Sequence, residues 1–188
     1  MKKSSLSLLI GCFLVLSTRA QSTCGVYLTA QDFVSGKLYS LYLSKKGSKL
    51  PDEALIEKKH LVLNKNGAEM RVDQKDVYAL RCSDGSIIRI YRDGRYTLLD
   101  PGESILIYMV KVYPAAKGNV LRTRYYFSKE AGSDIEALTL DNVKKAYSRN
   151  TKFDDALETE FRNDNELCAF DKAHNCYKLS RLYAANKL

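Results

Sequence analysis

VYALRCSDGSIIRIYRDGRYTLLDPGESILIYMVKVY, residues 77–113, decides the fold. Apolar residues recur there with period two and are broken by glycine-bearing turns, the pattern of an antiparallel meander of four short strands. Ser83-Asp84-Gly85 and Arg92-Asp93-Gly94 each put an Asp-Gly pair where a tight hairpin demands positive φ. Between them the alternation sends Ile87, Arg89 and Tyr91 to one face and Ile88 and Ile90 to the other. The last strand, Ser104 to Tyr113, is apolar on both faces through Ile105–Val110, so it belongs in the middle of a sheet covered on both sides. Asp100-Pro101-Gly102 supplies the turn before it.

Working outward, Thr29 can cap a short helix, with Asp32 at the third position, Leu28 stapled to Phe33, and Gly36 as the stop. Leu38 to Leu43 reads as the first strand, and His60–Leu63 with Ala68–Val72 as a hairpin about residues 64–67. Beyond the meander comes one more strand, Leu121 to Ser128, and then the grammar changes. Thr139 caps a helix with Leu140, Val143 and Tyr147 on one stripe and Leu138 set against Val143. Phe153, Ala156, Leu157 and Phe161 continue at helical spacing, as do Leu167, Phe170, His174 and Tyr177. Strands first and helices after predict an α+β domain: an antiparallel meander, a short N-terminal helix, and C-terminal helices packed on one face. Residues 21–188 form one domain, strand-rich over 38–128 and helical over 139–183.

Residues 1–20 read as a signal peptide. Lys2 and Lys3 precede an apolar run, Leu6–Leu16, too short to span a bilayer, and Thr18-Arg19-Ala20 offers small residues for cleavage after Ala20. Leu9-Ile10-Gly11-Cys12 also fits a lipobox, which would acylate Cys12. The apolar run continuing through Phe13–Leu16 argues for release into the periplasm or medium instead. No further stretch is long and apolar enough for a transmembrane helix. Loss of Lys2, Lys3 and Arg19 takes the net charge from +8 to +5. That balance suits weak attraction to an anionic or saccharide envelope component and excludes the concentrated basic footprint of a nucleic-acid binder.

Cys24, Cys82, Cys168 and Cys176 remain after cleavage, and an oxidising compartment permits one or two disulfides among them, with three full pairings open. On one continuous helix Cys168 and Cys176 would lie ~12 Å apart along the axis, too far to bond.

GVYLTAQDFVSGKL, VYALRCSDGSIIRIYRDGRYTLL, LTLDNVKKAYSRNTKFDDALETEF and ELCAFDKAHNCYKLSRL, in that order, resemble a group of exported proteins of Bacteroidetes-type bacteria to which no function is attached. The resemblance covers most of the mature chain and implies export and one small α+β domain. It implies no reaction, so no functional residue is carried over.

Three constellations bear on chemistry. Asp171 and His174 are spaced to share a helix face, and Cys176 follows, so a carboxylate-oriented base beside a thiol is conceivable for a small hydrolase-like enzyme. On a helix, however, Cys176 points away from His174, and the plainer reading packs His174 with Phe170 and Tyr177. His60, His174, Cys168 and Cys176 lack the short paired spacings of a zinc site, so neither metal nor cofactor is expected. Arg89 and Tyr91 share one side of their strand, and Arg122, Arg124 and Tyr126 share one side of theirs. Guanidinium groups interleaved with rings suit anionic or sugar ligands. Thirteen tyrosines against no tryptophan follow from strand propensity and name no ligand. The expectation is therefore a non-catalytic envelope or extracellular binding protein, with the hydrolase as alternative.

Overall fold

The computed structural model describes residues 24–41, 58–65, 67–101, 105–112 and 121–187; the expected signal segment, Cys12 included, lies outside them. The chain runs β1 (Gly25–Tyr27), α1 (Ala30–Val34), β2 (Tyr39–Ser40), β3 (His60–Lys65), β4 (Ala68–Asp73), β5 (Ala79–Arg81), β6 (Ile87–Tyr91), β7 (Gly94–Asp100) and β8 (Leu106–Val112). It continues with β9 (Arg122–Ser128), β10 (Glu136–Ala137), α2 (Leu140–Ala146), α3 (Thr151–Glu160), β11 (Phe170–Asp171), β12 (Cys176–Tyr177) and α4 (Lys178–Asn186).

Eight strands make one sheet in the order β10-β9-β8-β7-β6-β5-β1-β2. Every neighbouring pair is antiparallel. The meander strands β5 to β8 are its middle, and β8 sits between β7 and β9 with Leu106, Ile107 and Tyr108 buried; residues 102–104 and 113, where part of the expected last turn and the ends of the last strand fall, lie outside the described residues. The α+β class and the central place of the apolar strand therefore stand. The strand β1, three residues slotted between β2 and β5, went unread because so short a segment shows no period.

The two turns differ from their shared reading. Gly85 does take a positive φ of 89°. In the second turn the left-handed residue is Arg92, at φ 52°, while Gly94 pairs with Tyr91 across the hairpin. Gly94 is needed for another reason: a Cβ there would lie 2.5 Å from Cε2 of Tyr96. Its missing side chain makes room for a ring.

The sheet buries both faces, against different partners. On one face, Val26 and Leu80 pack with Leu61 and Leu63 of the β3–β4 hairpin. Further along the same face, Ile107 and Phe127 meet Val143 of α2, Phe153 and Leu157 of α3 and Leu179 of α4. The helices thus close one end of this face and the hairpin the other. Phe153 and Leu157 are fully buried, each stabilising the fold by roughly 1.5–3 kcal/mol relative to exposure. On the opposite face, Leu106, Tyr108, Tyr96 and Leu98 pack with Phe33 of α1 and with Ala131 and Ile135.

The capping box of α1 is as read: Asp32 N donates to Thr29 Oγ1 at 3.0 Å and Thr29 N to Asp32 Oδ2 at 3.1 Å. The Leu28–Phe33 staple is not. Leu28 packs with the hairpin cluster, and Phe33 sets its ring against Tyr27 and Tyr78, both centroids at 5.4 Å. The spacing of Leu167, Phe170, His174 and Tyr177 also misleads, since this stretch follows a 3-10 turn (Asp164–Glu166) and forms the hairpin of the two-residue strands β11 and β12. Asp171 Oδ1 accepts from the backbone N–H groups of Ala173 (3.0 Å) and His174 (3.2 Å), and Asn175 adopts φ 52°. An Asx turn wins where its acceptor competes with the helix ladder.

Candidate binding face

Arg89, Tyr91, Arg122, Arg124 and Tyr126 all come to the same sheet face. Arg89 lies opposite Tyr96, Tyr108 opposite Tyr126, Val110 opposite Arg124 and Val112 opposite Arg122. Their roles diverge. Arg89 is only 5% exposed, so it cannot be the ligand contact that the sequence suggested. Its Nη1 donates to Tyr108 Oη (3.0 Å) and Ser128 Oγ (3.3 Å), and its Nη2 to the carbonyl of Ser133 (2.9 Å). Among the described residues Arg89 forms no ion pair, and its Nε has no hydrogen-bond partner. The charge is instead met by ring faces, with Tyr78, Tyr91 and Tyr108 centroids at 4.8, 5.4 and 5.9 Å. Burial pushes the Tyr78 hydroxyl well above its ordinary range, with Tyr108 adding to the effect and Arg89 opposing it.

Arg89 is therefore the post on which a tyrosine ladder stands. Tyr96 touches Tyr91, Tyr108 and Tyr126 edge-on at 6.4, 6.3 and 5.1 Å. The Tyr91 hydroxyl donates to Asp134 Oδ1 at 2.7 Å, tying the ladder to the segment that Arg89 holds through Ser133. Around the outer half of the ladder stand Arg92, Arg122 and Arg124, all exposed. The Arg92 guanidinium stacks 5.0 Å over the Tyr91 ring. Among the described residues these three arginines form no ion pair. Sequence reasoning found Arg89, Arg122 and Arg124 but missed Tyr78, Tyr96, Tyr108 and Ser133. The Gly94-x-Tyr96 alternation was the one local signal, while the Arg89–Ser133 bond joins residues 44 positions apart.

Asp171 and His174 do meet, at 2.8 Å, but at the exposed tip of the β11–β12 hairpin. Arg181 of α4 reaches both, 3.1 Å from Asp171 and 3.2 Å from His174. The His174 hydrogen bond holds the Asp171 carboxyl below its ordinary range, with backbone N–H groups adding to it. Cys176 lies opposite Asp171 in the two-residue ladder. The cluster fastens a turn to a helix, and His174 is exposed rather than packed in a stripe. The His60 imidazole is bound to Asp73 at 2.5 Å across the β3–β4 hairpin, far along the chain from these groups. Among the described residues no three His, Cys, Asp or Glu side chains converge as metal ligands.

No disulfide links the described cysteines; Cys82 is buried and the others are half-buried. The Cys168 thiol donates to the Asn165 carbonyl at 3.3 Å. Among the described residues no helix is long and apolar enough to cross a membrane. No protein-family model, no curated protein and no solved structure matches the chain.

Proposed function

We propose that this is an exported, non-catalytic binding protein whose tyrosine–arginine face holds an acidic polysaccharide. The observation that carries the reading is the set of three exposed guanidinium groups, Arg92, Arg122 and Arg124, unpaired among the described residues and ranged around a rigid ladder of rings. Guanidinium forks match carboxylates bidentately, and adjacent rings offer apolar faces to sugar rings. Because buried Arg89 holds the ladder from beneath and Asp134 ties Tyr91 at the surface, little ordering is required on binding. The signal-like residues 1–20 and the likeness to exported proteins support a location outside the cytoplasm, where such polymers occur. The test is co-sedimentation with insoluble polygalacturonate against insoluble neutral glucan: retention on the acidic polymer alone is expected, and equal retention on both would overturn the reading.

A further inference from the structure

A second set of unpaired cations lies on the helical side of the molecule. A cleft of about 440 Å³ is lined by Lys129, Tyr147, Ser148, Arg149, Asn150 and Tyr183. That volume falls within the ~300–1,000 Å³ of small-ligand sites. Its back wall is fixed. Asn150 is 5% exposed, accepting from Phe153 N at 3.1 Å and donating to the Asn186 carbonyl at 2.7 Å. Tyr147 and Tyr183 pack ring on ring at 4.7 Å, both braced edge-on by Phe153. Lys129 Nζ stands 5.2 Å over the Tyr147 ring, and Arg149 is exposed. Neither cation has an ion-pair partner among the described residues. Burial chiefly raises the pKa of the Tyr147 hydroxyl, with Tyr183 and then the Glu130 carboxylate adding to the effect.

We propose that this cleft is a binding site for one hexuronate residue. Its carboxylate lies between Lys129 and Arg149, its ring against Tyr183, and its hydroxyls within reach of Ser148. Two cations against one carboxylate select an acid, and the rings beside them add a gain that a bare anion does not collect. The site shares no residue with the sheet-face ladder, so it stands or falls separately from the polysaccharide reading.

The test is NMR titration of the chain with sodium D-galacturonate, D-galactose and sodium acetate. The proposal expects saturable millimolar binding of galacturonate, read from the shifts of the cleft residues, and at least fivefold weaker binding of galactose and of acetate there. Arg149→Ala and Lys129→Ala, both at exposed positions, should each weaken galacturonate at the cleft at least threefold, while His174→Ala, on a hairpin outside the cleft lining, leaves it unchanged. Equal binding of galactose would remove the role of the charge, and equal binding of acetate would reduce the site to an anion contact. An unaffected Arg149→Ala variant, or no saturable binding, would also overturn the proposal.

Discussion

Replacing Arg89 by lysine should destabilise the fold more than replacing it by methionine, although lysine keeps the charge. The arginine makes three hydrogen bonds to neutral acceptors in two directions and lies over three ring faces. Hydrogen bonds to a charged group are worth about 1.5–3 kcal/mol each, set against a desolvation cost of several kcal/mol for the buried ion. Methionine removes the ion together with its desolvation cost. It leaves Tyr108 Oη and Ser128 Oγ bonded to each other at 3.0 Å, so that Ser133 O alone loses its donor. The net loss is about 1–3 kcal/mol. An ammonium retains the cost of burial but lacks the fork that spans both Tyr108 and Ser133, a loss of about 3–5 kcal/mol. Urea unfolding at pH 7 reads the difference directly. A buried ammonium has a depressed pKa, so the unfolded chain holds more protons. The deficit of Arg89→Lys should therefore shrink as pH rises from 7 toward 10, and that of Arg89→Met should not. A lysine variant within about 0.5 kcal/mol of the parent, or more stable than the methionine variant, would refute the reasoning.

Tyr78 and Tyr147 have folded pKa values raised by burial, so the fold holds extra protons above pH 10. Stability should be intact below that pH and fall as pH rises past it, with Tyr78→Phe and Tyr147→Phe each flattening the alkaline limb of an unfolding profile. Asp171 is shifted the other way: its contribution should hold above pH 3.8 and fade as pH falls further, seen as loss of exchange protection, relative to intrinsic rates, at the Ala173 and His174 amides. His174→Ala and Cys176→Ser should leave polygalacturonate binding unchanged; loss of a measured hydrolysis in a folded variant would instead favour the enzyme reading.

The meander was legible because turn residues and period-two alternation agree across residues 77–113. The same is true of the caps at Thr29 and Thr139, where side chain and backbone lie three residues apart. What escaped was decided at longer range or by competition. The strand β1 is too short to carry a period, and Gly94 serves the Tyr96 ring rather than its own φ. Residues 167–177 keep a helical spacing of apolar side chains, yet Asp171 closes a turn that no helix tolerates. At the site, alternation placed Arg89 and Tyr91 on one face correctly. It could not separate the arginine that is buried as a post from those that stay exposed, because that depends on Ser128 and Ser133 arriving from far along the chain.

The central claim rests on the exposed guanidinium groups of the tyrosine ladder. The most direct measurement is calorimetric titration of polygalacturonate into the parent protein and into Arg122→Glu/Arg124→Glu, at low and at physiological salt. The account predicts binding by the parent that weakens with salt, and at least a tenfold loss in the variant with an unchanged urea midpoint. Unchanged affinity in the folded variant, or binding of neutral dextran as tight as that of the acidic polymer, would contradict it.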